Sequence, residues 1–351
     1  MFKVLLQFTF PDKTQEQILE VLKKCHSIAD FQRDVIYKSV SRLLEKSAEE
    51  FTQSGFDKLS SDSSYLYLSN HRDIVLDTSL LNMTLIDHGL VTTASAIGDN
   101  LVQRDFLMEL SKLNRNFLVL RNQSPREMLM SSKLLSEYIK HLLVSKRSVW
   151  VAQREGRTKD GLDKTQQGVL KMITMARGKK PLMEYLKELN VIAVSISYEY
   201  DPTDILKVPE LIAKQENLPY IKTENEDFNS ILKGALGNKK NIHIAAAPLL
   251  ESIYKEIEEA DISDNDKLQA YAAAIDASIW RNYKLWPSNY IAYDLFNKSS
   301  TYSEYYDEKE LRHFERRLEV RVNTKNQKEV DSFLLMYANP VIQSNSLVKY
   351  E

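Results

Sequence analysis

The sequence predicts an α/β fold in which a mostly parallel sheet is flanked by helices, with helical additions at the N- and C-terminal ends. Three observations carry this. Six short apolar runs recur along the middle of the chain: YLYLS (65–69), TTASAI (92–97), NFLVL (116–120), SVWVAQ (148–153), VIAVSISYE (191–199) and IHIAAA (242–247). Longer amphipathic stretches separate them, near 77–88, 101–113, 125–145, 163–178 and 182–189. Strands alternating with helices in this way build βαβ units and parallel pairing. The third observation is a helix start near 125. Ser124 can cap it, Pro125 suits the first helical position, and Glu127 completes a capping box.

The ends of the chain read differently. Residues 15–57 repeat apolar positions at three- and four-residue spacing, as in EQILEVLKKCHSIADFQRDVIYKSVSRLLEK, with no Gly or Pro, and are expected to be helical. A turn region with Gly55 and SSDSS follows. Residues 251–266 hold seven acidic residues and one lysine, and DKLQAYAAAIDASIWRNYKLW then reads as a long amphipathic helix. The expected division is an N-terminal helical region (1–57), an α/β domain (58–250) and a mainly helical C-terminal extension (251–351).

Composition narrows the function classes. The 351 residues are 43% hydrophobic and 27% charged, which fits a globular protein with a sizeable core. A net charge of -2 argues against a general nucleic-acid binder. The one cysteine, Cys25, cannot form an intrachain disulfide and is expected to be a structural thiol in a reduced, intracellular setting. No apolar run approaches the roughly 18 residues of a membrane span. The N-terminal MFKVLLQFTF is too short and interrupted for a signal peptide. The expectation is a protein that is soluble or bound at a membrane surface.

Polar residues that could do chemistry collect at strand ends. His71 stands directly after one strand and before a helix, in YLYLSNHRDIVLDTSLL, with Asp73 and Asp77 close behind. In open α/β sheets, ligand sites gather at the carboxyl ends of strands. A base with an orienting acid is what transfer to a hydroxyl requires. Arg121 closes NFLVL, and VWVAQREGRTKDG carries Arg154, Glu155, Gly156, Arg157 and Lys159 into a turn. Residues 151–180 hold eight Lys or Arg and three acids, and guanidinium groups in fixed geometry suit a phosphate-bearing substrate. The HRD triplet also opens a protein-kinase catalytic loop, but no Gly-rich loop precedes it and no Asp-Phe-Gly follows, which excludes that reading.

Over residues 60–200 these blocks resemble the glycerol-3-phosphate and 1-acylglycerol-3-phosphate acyltransferases. NHRDIVLD (70–77) resembles the family's first block, FLVLR (117–121) its second, REGRTKDG (154–161) its third and VIAVSISYE (191–199) its fourth. The resemblance implies that His71 is a general base oriented by Asp77. It also implies that Arg121 and Arg157 meet an acceptor phosphate, and that Glu155 and Gly156 shape the acceptor site. The order His-five-residues-Asp departs from the family's four, so Asp73 competes with Asp77 for the imidazole. The third block also has Arg154 where many members have Pro. Arg154 and Lys159 are further candidates for the phosphate.

The implied activity is transfer of a fatty acyl group, in phospholipid synthesis, from a thioester of CoA or acyl carrier protein to glycerol-3-phosphate or its monoacyl derivative. Neither a cofactor nor a metal is expected, and the six histidines show no ligand spacing. A lipid product and the net +5 of residues 151–180 suggest a peripheral place on the cytoplasmic face of the inner membrane. MFKVLLQF and the aromatic-rich 280–297 are candidate apolar contacts there.

Overall fold

The computed structural model describes residues 2–347. Seven strands form one sheet: β1 (Ala48–Ser54), β2 (Leu66–Ser69), β3 (Ala94–Gly98), β4 (Asn116–Val119), β5 (Val149–Ala152), β6 (Val191–Tyr198) and β7 (Lys240–Pro248), in the order β1-β7-β6-β2-β5-β3-β4. β6, β2, β5, β3 and β4 run parallel, whereas β7 is antiparallel to β6 and carries β1 with it. The fold is therefore α/β with a mostly parallel sheet.

The strands form where the sequence is apolar on both faces. All eight residues of β6 and all four of β2 are buried, which is the pattern of a strand covered by helices on both sides. Alternation then sorts the faces. Leu66, Leu68, Val149, Val151, Val191 and Ala193 pack with Ile139, Leu170, Leu186, Tyr271 and Ile275. Tyr67, Trp150, Ile192, Val194, Ile242 and Ile244 pack with Val40, Leu44, Leu76, Leu80 and Leu81. Thus Tyr271 and Ile275, in the helix Asp264–Arg281, complete a core begun by the central strands. The last two long helices, Glu308–Arg321 and Gln327–Leu347, close a separate cluster around Phe314, Phe333 and Tyr337.

Two readings of the ends need correction. The helical expectation for 15–57 fails at 48–54. AEEFTQS is a sheet-edge strand, and pairing with β7 rather than an apolar pattern makes it one. Gly55 then turns the chain with φ +79°, where an added Cβ would lie 2.1 Å from the Ala246 carbonyl oxygen. Some residues of the proposed membrane contacts also face the interior, whereas Met1 lies outside the described residues. Leu6 and Phe10 are buried against Ile18, Phe31 and Val35, and Trp286, Ile291 and Ala292 are buried as well. Among the described residues, no helix is long and apolar enough to cross a membrane.

Candidate active site

His71 lies in the turn between β2 and the helix Leu76–Asp87. Residues 70–75 are not helical, so the extra residue between His71 and Asp77 is taken up before the helix begins. The segment curls around the Asp77 carboxylate. Oδ2 accepts from His71 Nδ1 at 2.8 Å, from the Arg72 amide at 2.6 Å and from the Asp73 amide at 3.0 Å. Oδ1 accepts from the Tyr198 hydroxyl at 2.8 Å. With Nδ1 donating to Asp77, the neutral ring presents Nε2 as its acceptor. Trp150 packs edge-on against the imidazole at 5.5 Å, and its indole N–H is held by Ser69 Oγ.

Asp73 does not take the imidazole. Its Oδ1 accepts from the amides of Val75 (3.0 Å) and Leu76 (2.8 Å), which caps the helix. Burial, and after it the charge of Asp77, push its carboxyl above the usual range. Its Oδ2 faces Gly234 in the helix Glu226–Leu236, where an added Cβ would lie 2.0 Å away.

Around the turn, buried side chains replace missing backbone partners. Asn70 donates to the Ile196 carbonyl (2.9 Å) and accepts from the Ile196 amide (2.8 Å), extending the β2–β6 ladder by one side chain. Asp163 gathers Arg72 (2.5 Å), Asn70 (3.1 Å) and Thr158 (2.7 Å). Its main-chain carbonyl accepts from Trp280 (2.7 Å) and Gln343 (2.9 Å) in the C-terminal helices. Burial works against the Arg72 charge, but Asp163 and the other anionic partners outweigh it and the guanidinium stays raised.

A cavity of about 910 Å³ opens beside His71. Its walls are largely apolar, with Ile97, Leu107, Phe117, Leu135, Val169 and Met172 among them. Arg121, Arg154, Glu155 and Gly156 line it together with His71. Arg121 Nη1 is 3.5 Å from Glu155 Oε1, and Arg154 Nε is buried without a hydrogen-bond partner.

Arg157 and Lys159, expected to meet the acceptor phosphate, do not line this cavity. Gly156 has φ +69° and turns the chain away. The Thr158 amide then donates to the His71 carbonyl (2.7 Å), tying this turn to the histidine turn. Arg157 reaches Thr203 Oγ1 at 3.4 Å, and Lys159 pairs with Glu210 at 2.9 Å. Burial lowers the Lys159 ammonium pKa.

Sequence reasoning did not single out Asn70, Trp150, Asp163 or Gly234. Tyr198 is legible in the sequence as part of the fourth block, VIAVSISYE, but not as a partner of Asp77. Among the described residues, no group of three or more His, Cys, Asp or Glu side chains could hold a metal ion.

No family model matches the sequence, and no curated protein matches it. Among solved structures, the chain is similar to the crystal structure of the 1-acyl-sn-glycerophosphate (LPA) acyltransferase PlsC from Thermotoga maritima. That likeness has 13% identity and a TM-score of 0.38, over 78% of this chain and 85% of that one. So slight a likeness identifies neither a substrate nor a catalytic residue for this chain.

Proposed function

We propose that this protein is an acyltransferase that moves a fatty acyl group from a thioester to a hydroxyl of glycerol-3-phosphate or its monoacyl derivative. One observation carries the reading: a carboxylate-bound imidazole opens into a largely apolar cavity of about 910 Å³ that also presents two arginines. His71 Nε2 takes the proton of the acceptor hydroxyl as that oxygen attacks the thioester carbonyl. The tetrahedral intermediate collapses, the C–S bond breaks, and the imidazolium returns its proton to the departing thiolate. Asp77 holds the ring and offsets its transient charge. The apolar walls take the acyl chain, and Arg121 and Arg154 meet the acceptor's phosphate. CoA and acyl carrier protein are both donors that fit this chemistry. The site would act at the cytoplasmic face of a membrane.

The test is kinetic. His71→Ala should lower kcat by at least about 10³-fold with the fold intact by circular dichroism. Arg121→Ala and Arg154→Ala should raise the acceptor KM more than they lower kcat. Undiminished turnover by His71→Ala would refute the base. A second reading, a hydroxyl acceptor without phosphate, draws on Glu155 beside Arg121. It predicts an acceptor KM that neither arginine substitution changes.

A further inference from the structure

One helix beside the site is fastened unlike the rest of the fold. The helix Glu226–Leu236 buries only two residues, Ser230 and Gly234, both small. None of its side chains joins any of the apolar clusters formed among the described residues. Phe228 and Ile231 are half-buried, and Leu232 and Leu236 are 44% and 65% exposed. Segments with so little apolar burial open far below the free energy of global unfolding. The chain leading into the helix is exposed from Glu216 to Asn225, Tyr220 excepted, and Asn217 and Asn225 both stand in the left-handed region.

The two ends of this helix are tied differently. Its C-terminal end is fixed. Gly234 lies against the Asp73 carboxylate, and the buried Lys239 ammonium donates to the carbonyls of Ala235 (2.8 Å) and Gly237 (2.7 Å) and to Ser47 Oγ (2.9 Å). The N-terminal end rests on polar contacts with the turn after β3. Asp227 Oδ2 accepts from Asn100 Nδ2 at 2.8 Å, Asn225 Oδ1 accepts from Arg104 at 2.7 Å, and the Arg104 guanidinium lies 4.1 Å from the centre of the Phe228 ring. Burial works against the Asp227 charge, but Lys222, Asn100 and Arg157 outweigh it and hold the carboxyl low. These contacts join two parts of the cavity wall. Leu101 and Val102 line it from the turn after β3, and Ile231 lines it from the helix, together with His71, Ile74 and Val75. With the His71 side chain 13% exposed, the wall that Ile231 completes limits access to Nε2.

We propose that the helix Glu226–Leu236 is a lid on the His71 cavity. It turns about its C-terminal end, the Asp227–Asn100 bond is its latch, and the open form is the one that admits the glycerophosphate acceptor. The proposal rests on the acyl-transfer reading for what enters, but the motion is measured without turnover. Ser230 is 1% exposed and lies on the swinging half. Ser230→Cys, made together with Cys25→Ala so that it is the one thiol, therefore reports opening by its rate of reaction with a thiol reagent. Ser136→Cys, in the same background, reports unfolding of the whole: Ser136 is fully buried in the helix Pro125–Val144 and donates to the Ile173 carbonyl.

In the folded protein Ser230→Cys should react at least roughly a hundredfold faster than Ser136→Cys. Hydrogen exchange of the unsubstituted chain makes the same comparison between the amides of Glu226–Leu236 and those of the helix Asp264–Arg281. Asn100→Ala and Asp227→Ala should each speed the labelling of Ser230→Cys roughly tenfold, since a hydrogen bond to a charged group is worth about a decade. Together they should do no more than either alone, because both remove the same contact. The acceptor KM should fall by the same factor, because binding to a minor open form is weakened in proportion to its population. Equal labelling of the two cysteines overturns the lid, as does exchange in Glu226–Leu236 as slow as in Asp264–Arg281. Faster labelling in the latch variants with an unchanged acceptor KM overturns the gating. If Ser230→Cys labels fast in a protein that acylates neither glycerol-3-phosphate nor its monoacyl derivative, acyl transfer fails and the lid stands.

Discussion

Asp77 uses both of its oxygens, and this decides how His71 can behave. Two backbone amides, the imidazole and the Tyr198 hydroxyl fix the carboxylate from four directions. A carboxylate so held cannot swing, so the ring keeps Nε2 toward the cavity. Asp73, two residues from His71, spends its Oδ1 on the helix cap instead. The two acids should therefore respond differently to loss of charge. Asp77→Asn offers an N–H where the ring needs an acceptor, and kcat should fall roughly 10²- to 10⁴-fold. Asp73→Asn keeps an oxygen for the cap and should lower kcat far less. Steady-state acyl transfer by the two variants checks this, and equal losses would refute the assignment of Asp77. Tyr198 acts through Asp77, as a positioning residue in the same sense.

At the scale of elements, the helix Glu226–Leu236 backs the site turn through a residue with no side chain. Gly234 lets it approach Asp73 so closely that a methyl group would overlap Oδ2. Replacing a helical glycine by alanine ordinarily stabilises by about 1 kcal/mol. Here Gly234→Ala should instead destabilise by roughly 1–3 kcal/mol, because the buried carboxyl and the helix must part. Urea unfolding measures it, and a stabilised variant would contradict the close approach. Nothing in residues 199–241 reads as this helix beforehand, since its apolar positions are short and broken. The central strands are legible for the opposite reason: buried on both faces, they are continuous apolar runs. β1 is not, because AEEFTQS gains its strand character only from β7, almost two hundred residues later. The site divides the same way. His71, Arg121, Arg154 and Glu155 announce themselves at strand ends, and no spacing rule links Asp77 to Tyr198 or Asn70 to Ile196. Arg157 and Lys159 carry the right charge for a phosphate, but a single left-handed glycine directs them elsewhere.

Across the whole molecule, buried charge ties the C-terminal helices to the sheet. Arg317 donates to the Asp201 carbonyl, Asp204 takes Arg317 and the Tyr337 hydroxyl, and Asp276 accepts the amide and hydroxyl of Thr165. Burial raises the Asp276 carboxyl to about 6 despite those two bonds from Thr165. The unfolded carboxyl titrates near about 3.9. Between these values the folded chain keeps a proton that the unfolded chain has released. This contribution is therefore full below about pH 4 and is lost as pH rises through about 6. Asp276→Asn removes the titration and should raise Tm relative to wild type at pH 8, with the gap closing toward pH 4. A gap independent of pH would show that Asp276 is not the group that titrates.

The Asp163 carbonyl is pinned by Trp280 and Gln343, which stand 117 and 180 residues further along the chain. A polypeptide emerging from the ribosome lays down His71, Asp77 and their sheet long before it delivers those two anchors. The His71 turn is thus made well before the contacts that brace it. The nascent chain holds His71 and Asp77 in a turn that lacks these anchors until the helix Gln327–Leu347 folds against it.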